Sequence, residues 1–153
     1  MGRKLIAIGN QMMTDDGIAI RIAEHLKDYL KARDIQIIIG ETDVDYCIDQ
    51  IQDGDDLIIL DGVYGEGMPG DIWNLPIENM DFRRKCFFTQ HQPNLLDGLK
   101  LYDKWVDGVF IGIQIVDISF GLDLSEAMEA ILPQVCEAVQ ENIEIHIRGK
   151  NNA

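Results

Sequence analysis

Five short apolar runs, separated by amphipathic stretches, set what this chain can fold into. They are Lys4–Gly9 (KLIAIG), Ile35–Gly40 (IQIIIG), Asp55–Gly62 (DDLIILDG), Lys85–Gln90 (KCFFTQ) and Gly108–Val116 (GVFIGIQIV). Short, near-continuous apolar runs fit strands covered on both faces, as in parallel sheets. After the first run, Ile18, Ile22 and Leu26 recur at helical spacing with Ala19, Ala23 and Leu30, and Val44–Ile51 reads as a short helix. Asn94–Trp105 reads as another helix, with Leu95, Leu99 and Tyr102 on one face. The last helix spans Ser125–Asn142 and buries Met128, Ile131, Leu132, Val135 and Val139; Pro133 should kink it or split off its first turns. Val63–Glu78 is too broken by glycine and proline for a helix. Glu144–Ala153 reads as a short extended piece with a frayed polar end. Strands alternating with helices predict an α/β fold, a mostly parallel five-stranded twisted sheet with helices on both faces. At 153 residues, with no repeat or linker, it is expected to be a single domain over residues 1–153.

The net charge of −14 weighs against a nucleic-acid partner, whose phosphates would be repelled over most of the surface. No run approaches the ~20 apolar residues of a membrane span. The first residues reach Asn10, Asp15 and Asp16 too soon for a signal peptide, so a soluble cytoplasmic protein without membrane attachment is expected. Cys47, Cys86 and Cys136 are scattered and odd in number, which suits thiols in a reducing compartment rather than disulfides or a zinc cage.

In open α/β sheets, ligands bind outside the carboxyl ends of the strands. The first run delivers Asp15 and Asp16 there, the third ends at Asp61, and the fourth ends just before His91. Each residue has an ordinary reading. Either Asp15 or Asp16 suits a helix start, Asp61 an Asx-turn with Gly62, and His91 a polar position near a helix start. One cap cannot use two aspartates, however, and adjacent carboxylates repel unless a cation or donors satisfy them. His25 and His146 read as solvated. GEGMPGDIW fits neither a phosphate loop nor a dinucleotide fingerprint, and there is no GxSxG elbow. Two carboxylates and an imidazole form a mixed oxygen and nitrogen set that suits a borderline divalent metal, or activation of water. The residues alone do not choose between these.

Four stretches carry a resemblance. AIGNQMMTDDGIAIRIAEHL resembles the opening of the hydrogenase maturation endopeptidases, a strand followed by Gly-Asn, four residues and Asp-Asp/Glu-Gly. LDGVYGEGMPGDIWNL is similar to their second motif, FFTQHQPNLLDGLKL to the third, and VFIGIQIVDISFGLDLSEAMEAILPQV to the closing strand and helix. The likeness runs from about Lys4 to Val139, with the motifs in order. It implies a cytoplasmic, monomeric, aspartic-type endopeptidase. Such an enzyme cuts the C-terminal extension from the large-subunit precursor of a [NiFe]-hydrogenase after nickel has been inserted. The resemblance implies that Asp16, Asp61 and His91 contact the nickel carried by the precursor, and that Asp16 or Asp61 activates water. Asp15 is then expected as a cap or as a support for Asp16, and Gly65, Gly67, Pro69 and Gly70 as a mobile loop that shapes itself to the substrate. The chain departs from the family pattern at Ala19 and Ile115, where relatives often carry Gly and Pro, and at Asp16, where some have Glu. A holding chaperone that binds nickel and precursor without cleaving would carry the same ligands. A receiver-type signalling domain shares the paired carboxylates, but lacks support here because no Lys ends Gly108–Val116.

Overall fold

Leu5, Ile6, Ala7 and Ile8 leave almost nothing exposed, as expected of a strand covered on both faces. They lie in β1 (Arg3–Ile8), in a computed structural model that describes residues 2–79, 87–88 and 92–152. Beside β1 run β2 (Ile35–Glu41) on one side and β3 (Asp56–Gly65) on the other, both parallel to it. β6 (Asp107–Gln114) runs parallel to β3, and β4 (Ile72–Pro76) closes the edge antiparallel to β6. The order is β2-β1-β3-β6-β4, the expected five-stranded, mostly parallel sheet.

One of the five is not the strand predicted. β4 lies in the passage read as irregular, because the glycine punctuation ends at Gly70 and leaves Ile72, Trp73 and Leu75 free to pair with β6. Pro76 is tolerated at an edge, where a missing N–H breaks no ladder. Of the run Lys85–Gln90, the described residues form only β5 (Phe87–Phe88), which pairs antiparallel with Tyr64 and Gly65 at the end of β3. The other residues of that run lie outside the described residues.

Helices α1 (Ile18–His25) and α2 (Lys27–Ala32) cover one face together with α5 (Glu126–Asn151). The other face is covered by α3 (Val44–Asp49) and α4 (Gln92–Leu101). α5 corrects two expectations. It passes Pro133 without ending, because that residue is exposed and the lost N–H faces solvent. It also continues over Glu144–Asn151, expected to be extended. Val139, Ile143 and Ile147 are buried at four-residue spacing, and burial of each such side chain stabilises by ~1.5–3 kcal/mol. Among the described residues no helix is long and apolar enough to cross a membrane.

From β1 the chain turns one way to β2 and then returns past β1 to β3. α1 and α3 therefore fall on opposite faces, and the carboxyl ends of β1 and β3 flank a topological switch point.

Candidate active site at the strand ends

The loop after β1 is shaped by Gly9. Its φ is +150°, and a Cβ there would sit 1.9 Å from the Asp16 carbonyl oxygen. Only glycine lets the chain double back this closely. Asp16 then accepts the Asn10 N–H on Oδ2 at 2.9 Å, so its carboxylate lies over the end of β1. Asp16 sits in a 3-10 turn, Thr14–Gly17, and is 2 % exposed. Thr14 holds a left-handed φ of 51°, unfavourable for a β-branched residue. It is held there by its N–H to the Gly121 carbonyl at 2.9 Å and by its hydroxyl, which donates to the Ser119 carbonyl.

Asp15 points elsewhere. It is fully buried, and Oδ2 accepts the N–H groups of Val116 (3.2 Å) and Asp117 (2.9 Å) and the Ser125 hydroxyl (2.8 Å). Oδ1 accepts the Ser125 N–H at 2.8 Å. Ser125 is the N-cap of α5, its Oγ accepting the Met128 N–H at 3.3 Å. The local capping role expected for Asp15 is replaced by a distant one. Neither the 3-10 turn nor α1 has a side-chain cap, and Asp15 instead fixes the loop from β6 into the start of α5.

Asp61 lies in β3 opposite Gly112 of β6 and is fully buried. On its other side, the pairing of Ala7 with Leu60 brings it level with the end of β1. Asp16 and Asp61 thus occupy the same edge of two neighbouring strands. His91, the third expected contact, lies outside the described residues. Among the described residues, no three His, Cys, Asp or Glu side chains are grouped to hold a metal ion.

The loop with Gly65, Gly67, Pro69 and Gly70 is bonded to β6 at its end. The Gly70 N–H donates to the Gln114 carbonyl and the Gln114 N–H to the Asp71 carbonyl, both at 2.9 Å. The Met68 N–H donates to Asp71 Oδ2 at 2.8 Å. Gly70 has a φ of +87°, and a Cβ there would meet Ile131 of α5 at 2.7 Å. Around this edge Met12, Phe120 and Leu122 are largely exposed, and the Gly121 N–H donates to the Met12 carbonyl at 2.8 Å. His25 is exposed as expected. His146 is not: Nε2 lies 2.8 Å from Asp56 Oδ1, at the opposite end of the sheet.

Ser125, Asp117 and Tyr64 lie at or beside the site without a role predicted for them from the sequence. The closing motif contained Ser125, but its bond to Asp15 spans 110 residues and leaves no local trace. The Asp117 carboxyl is held below the usual range by the backbone N–H and hydroxyl of Ser119. The Tyr64 phenol is pushed up to about 12 by burial and then by the carboxylates of Asp16, Asp15 and Asp117.

The architecture is similar to solved structures over nearly all of its length. A [NiFe] hydrogenase maturation protease HybD from Thermococcus kodakarensis superposes with a TM-score of 0.73 at 21 % identity, covering 92 % of this chain and 98 % of that one. The hydrogenase maturating endopeptidase HybD from E. coli gives 0.69 at 23 %, covering 91 % and 90 %. An endopeptidase from Escherichia coli gives 0.72 at 24 %, covering 94 % and 92 %. No curated protein matches the sequence. A family model described as HycI, hydrogenase maturation protease, matches residues 20–142, which is most of the chain. The chain belongs to the hydrogenase maturation protease family.

Proposed function

We propose that the protein is an endopeptidase that removes the C-terminal extension of a [NiFe]-hydrogenase large-subunit precursor once nickel has been inserted. The observation that carries this reading is the pair Asp16 and Asp61, buried on neighbouring strand ends at the switch point of a chain from this family. Nickel is cargo of the substrate. Carboxylates, with the His91 imidazole, make the oxygen and nitrogen set that borderline divalent ions accept. A site that contacts an ion carried by its partner makes affinity conditional on a loaded precursor, which is specificity by differential binding. Either carboxylate has the chemistry to take a proton from the attacking water. The exposed Met12, Phe120 and Leu122 support a protein partner on this edge, since soft and aromatic side chains suit contact surfaces.

The test is the mass of the large subunit after mixing with nickel-loaded or empty precursor. The expected result is a shortened subunit from the loaded form alone. Unchanged mass in both overturns the proposal in favour of a holding role. Asp16→Asn should abolish the shortening, and normal processing by that variant removes Asp16 from the mechanism.

A further inference from the structure

Gly17, Arg21 and Glu24 follow one another at helical spacing, on one face of α1 and the turn before it. That face forms one wall of a groove with a volume of about 310 Å³. Leu122 and Leu124, from the segment between β6 and α5, form the other wall, and the loop after β1 completes it. Thr14 and Gly17, the two ends of the turn that carries Asp16, both border the groove. Phe120 is 76 % exposed and Leu122 72 %, and the Gly121 N–H bond to the Met12 carbonyl sets the half-exposed Met12 beside them. Apolar side chains exposed together mark a surface that something covers. The leucine wall is held in place, because the N–H groups of Thr14 and Asp15 donate to the Gly121 and Asp117 carbonyls at 2.9 Å.

Charge narrows what the occupant can be. Arg21 is the one cation lining the groove, and its guanidinium is drawn to Glu129 of α5 at 3.4 Å. Glu24 is exposed, and no cation pairs with it among the described residues. Asp123, between the two leucines, is exposed as well. Over the whole chain 27 acidic residues stand against 13 basic ones. A second copy of this chain, or an acidic peptide, is repelled here. A segment with both apolar and basic side chains complements the leucines and Glu24 together. The volume is at the lower end for ligand sites, so the groove suits a stretch of extended chain rather than a folded face.

We infer that this groove holds the C-terminal extension of the precursor, a segment that carries Lys or Arg next to apolar residues, an assignment that rests on the endopeptidase reading above. Glu24 accepts the cationic side chain, and Leu122, with Phe120 and Met12 around it, takes the apolar ones. The bond to be cut joins the extension to the subunit. With that bond at Asp16, the first residues of the extension reach a groove bordered by Thr14 and Gly17. Neither Glu24 nor Leu122 touches the reacting atoms. They bind a part of the substrate that does not react, so they act on KM rather than on kcat.

The experiment reads initial rates against the concentration of nickel-loaded precursor for the parent, Glu24→Lys and Leu122→Ser. It is repeated on a precursor whose extension has its Lys and Arg residues replaced by Glu. Both side chains are exposed, so folding should be unchanged, and thermal melting checks this. On the natural precursor Glu24→Lys should raise KM about fivefold with kcat within about twofold, attraction having become repulsion. Leu122→Ser should raise KM by a similar factor. The charge-reversed precursor should invert the order, being cut poorly by the parent and better by Glu24→Lys. An unchanged KM in either variant overturns the assignment while leaving the endopeptidase reading intact, and so does an extension without Lys or Arg. A raised KM that the charge-reversed precursor does not invert places another part of the subunit in the groove and overturns the choice of occupant. A dimer of the free protein in sedimentation, split by Leu122→Ser, overturns it in favour of a second copy. A parent that does not cut the loaded precursor overturns both readings.

Discussion

Asp15→Asn is the most informative single substitution, because it keeps size and shape and changes only what the side chain can accept. The carboxylate takes four hydrogen bonds, from the N–H groups of Val116, Asp117 and Ser125 and from the Ser125 hydroxyl. An asparagine has one oxygen. If that oxygen serves Ser125 N–H, the NH2 group faces the N–H groups of Val116 and Asp117, donor against donor. If the amide is flipped, the Ser125 N–H is left facing the NH2 group. The Ser125 hydroxyl can reverse and accept, but its oxygen already serves the Met128 N–H at the start of α5. Hydrogen bonds to charged groups contribute ~1.5–3 kcal/mol each. Losing two of them, less the relief of no longer burying a charge, puts the destabilisation at about 3–5 kcal/mol. That is a large part of the ~5–15 kcal/mol typical of a domain.

Urea denaturation followed by circular dichroism should show a lowered midpoint with an unchanged slope. Hydrogen exchange should show lost protection at the Val116 and Asp117 amides. A loss below ~1 kcal/mol, with both amides protected as in the parent, refutes the reasoning that Asp15 holds the two loops together.

Gly9→Ala should cost more than ~2 kcal/mol and abolish processing, since the new methyl group meets the Asp16 carbonyl oxygen at 1.9 Å; thermal melting and precursor cleavage read both effects. Lys4→Met removes the ammonium that meets Asp55 at 2.7 Å and leaves a buried carboxylate with backbone donors, a loss of ~3–5 kcal/mol at neutral pH. Burial works to raise the Asp55 pKa, but the bonds from Lys4, Gln52 and Gly2 outweigh it and the net shift is downward. The stability it contributes is therefore fully present above its unfolded pKa of ~3.9 and is lost as pH falls through the lower folded value. The gap between Lys4→Met and parent should close in acid, and a gap in urea midpoint independent of pH rejects the assignment. Pro133→Ala restores a helix N–H on the exposed side of α5 and should raise the melting temperature, by up to the ~3 kcal/mol a proline costs inside a helix; a lower melting temperature contradicts that account.

The parallel strands were legible because burial on both faces writes a continuous apolar run. Ile72, Trp73 and Leu75 of β4 were not, because an edge strand follows Gly65, Gly67, Pro69 and Gly70 and takes its pairing from β6. The tail of α5 was misread for a different reason. Ile145 and Ile147 alternate with polar residues like a strand, but Ile145 is exposed, and the burial that matters continues from Val139 through Ile143 to Ile147. At the site, strand ends were enough to single out Asp15, Asp16 and Asp61. Position at a strand end does not divide the labour between the first two; only the family resemblance does, since the partners of Asp15 come from the far end of the chain.

Two adjacent carboxylates need not compete for one site. In a 3-10 turn, successive side chains point ~120° apart, so neighbours in sequence diverge in space. The Asp15 side chain turns into the protein to gather donors from the β6–α5 loop, while that of Asp16 turns back over the end of β1. Their repulsion is answered by different donors rather than by one shared cation. The loop that Asp15 fixes is the one whose Gly121 bonds to Met12 and Thr14, immediately before the pair. Asp15 therefore braces the segment that presents Asp16, and a change at Asp15 should reach processing only through the stability and position of that segment. Partial activity in Asp15→Asn, rising as the temperature is lowered toward full folding, is the pattern this predicts. Complete loss of processing in a fully folded Asp15→Asn protein would place Asp15 in the chemistry instead.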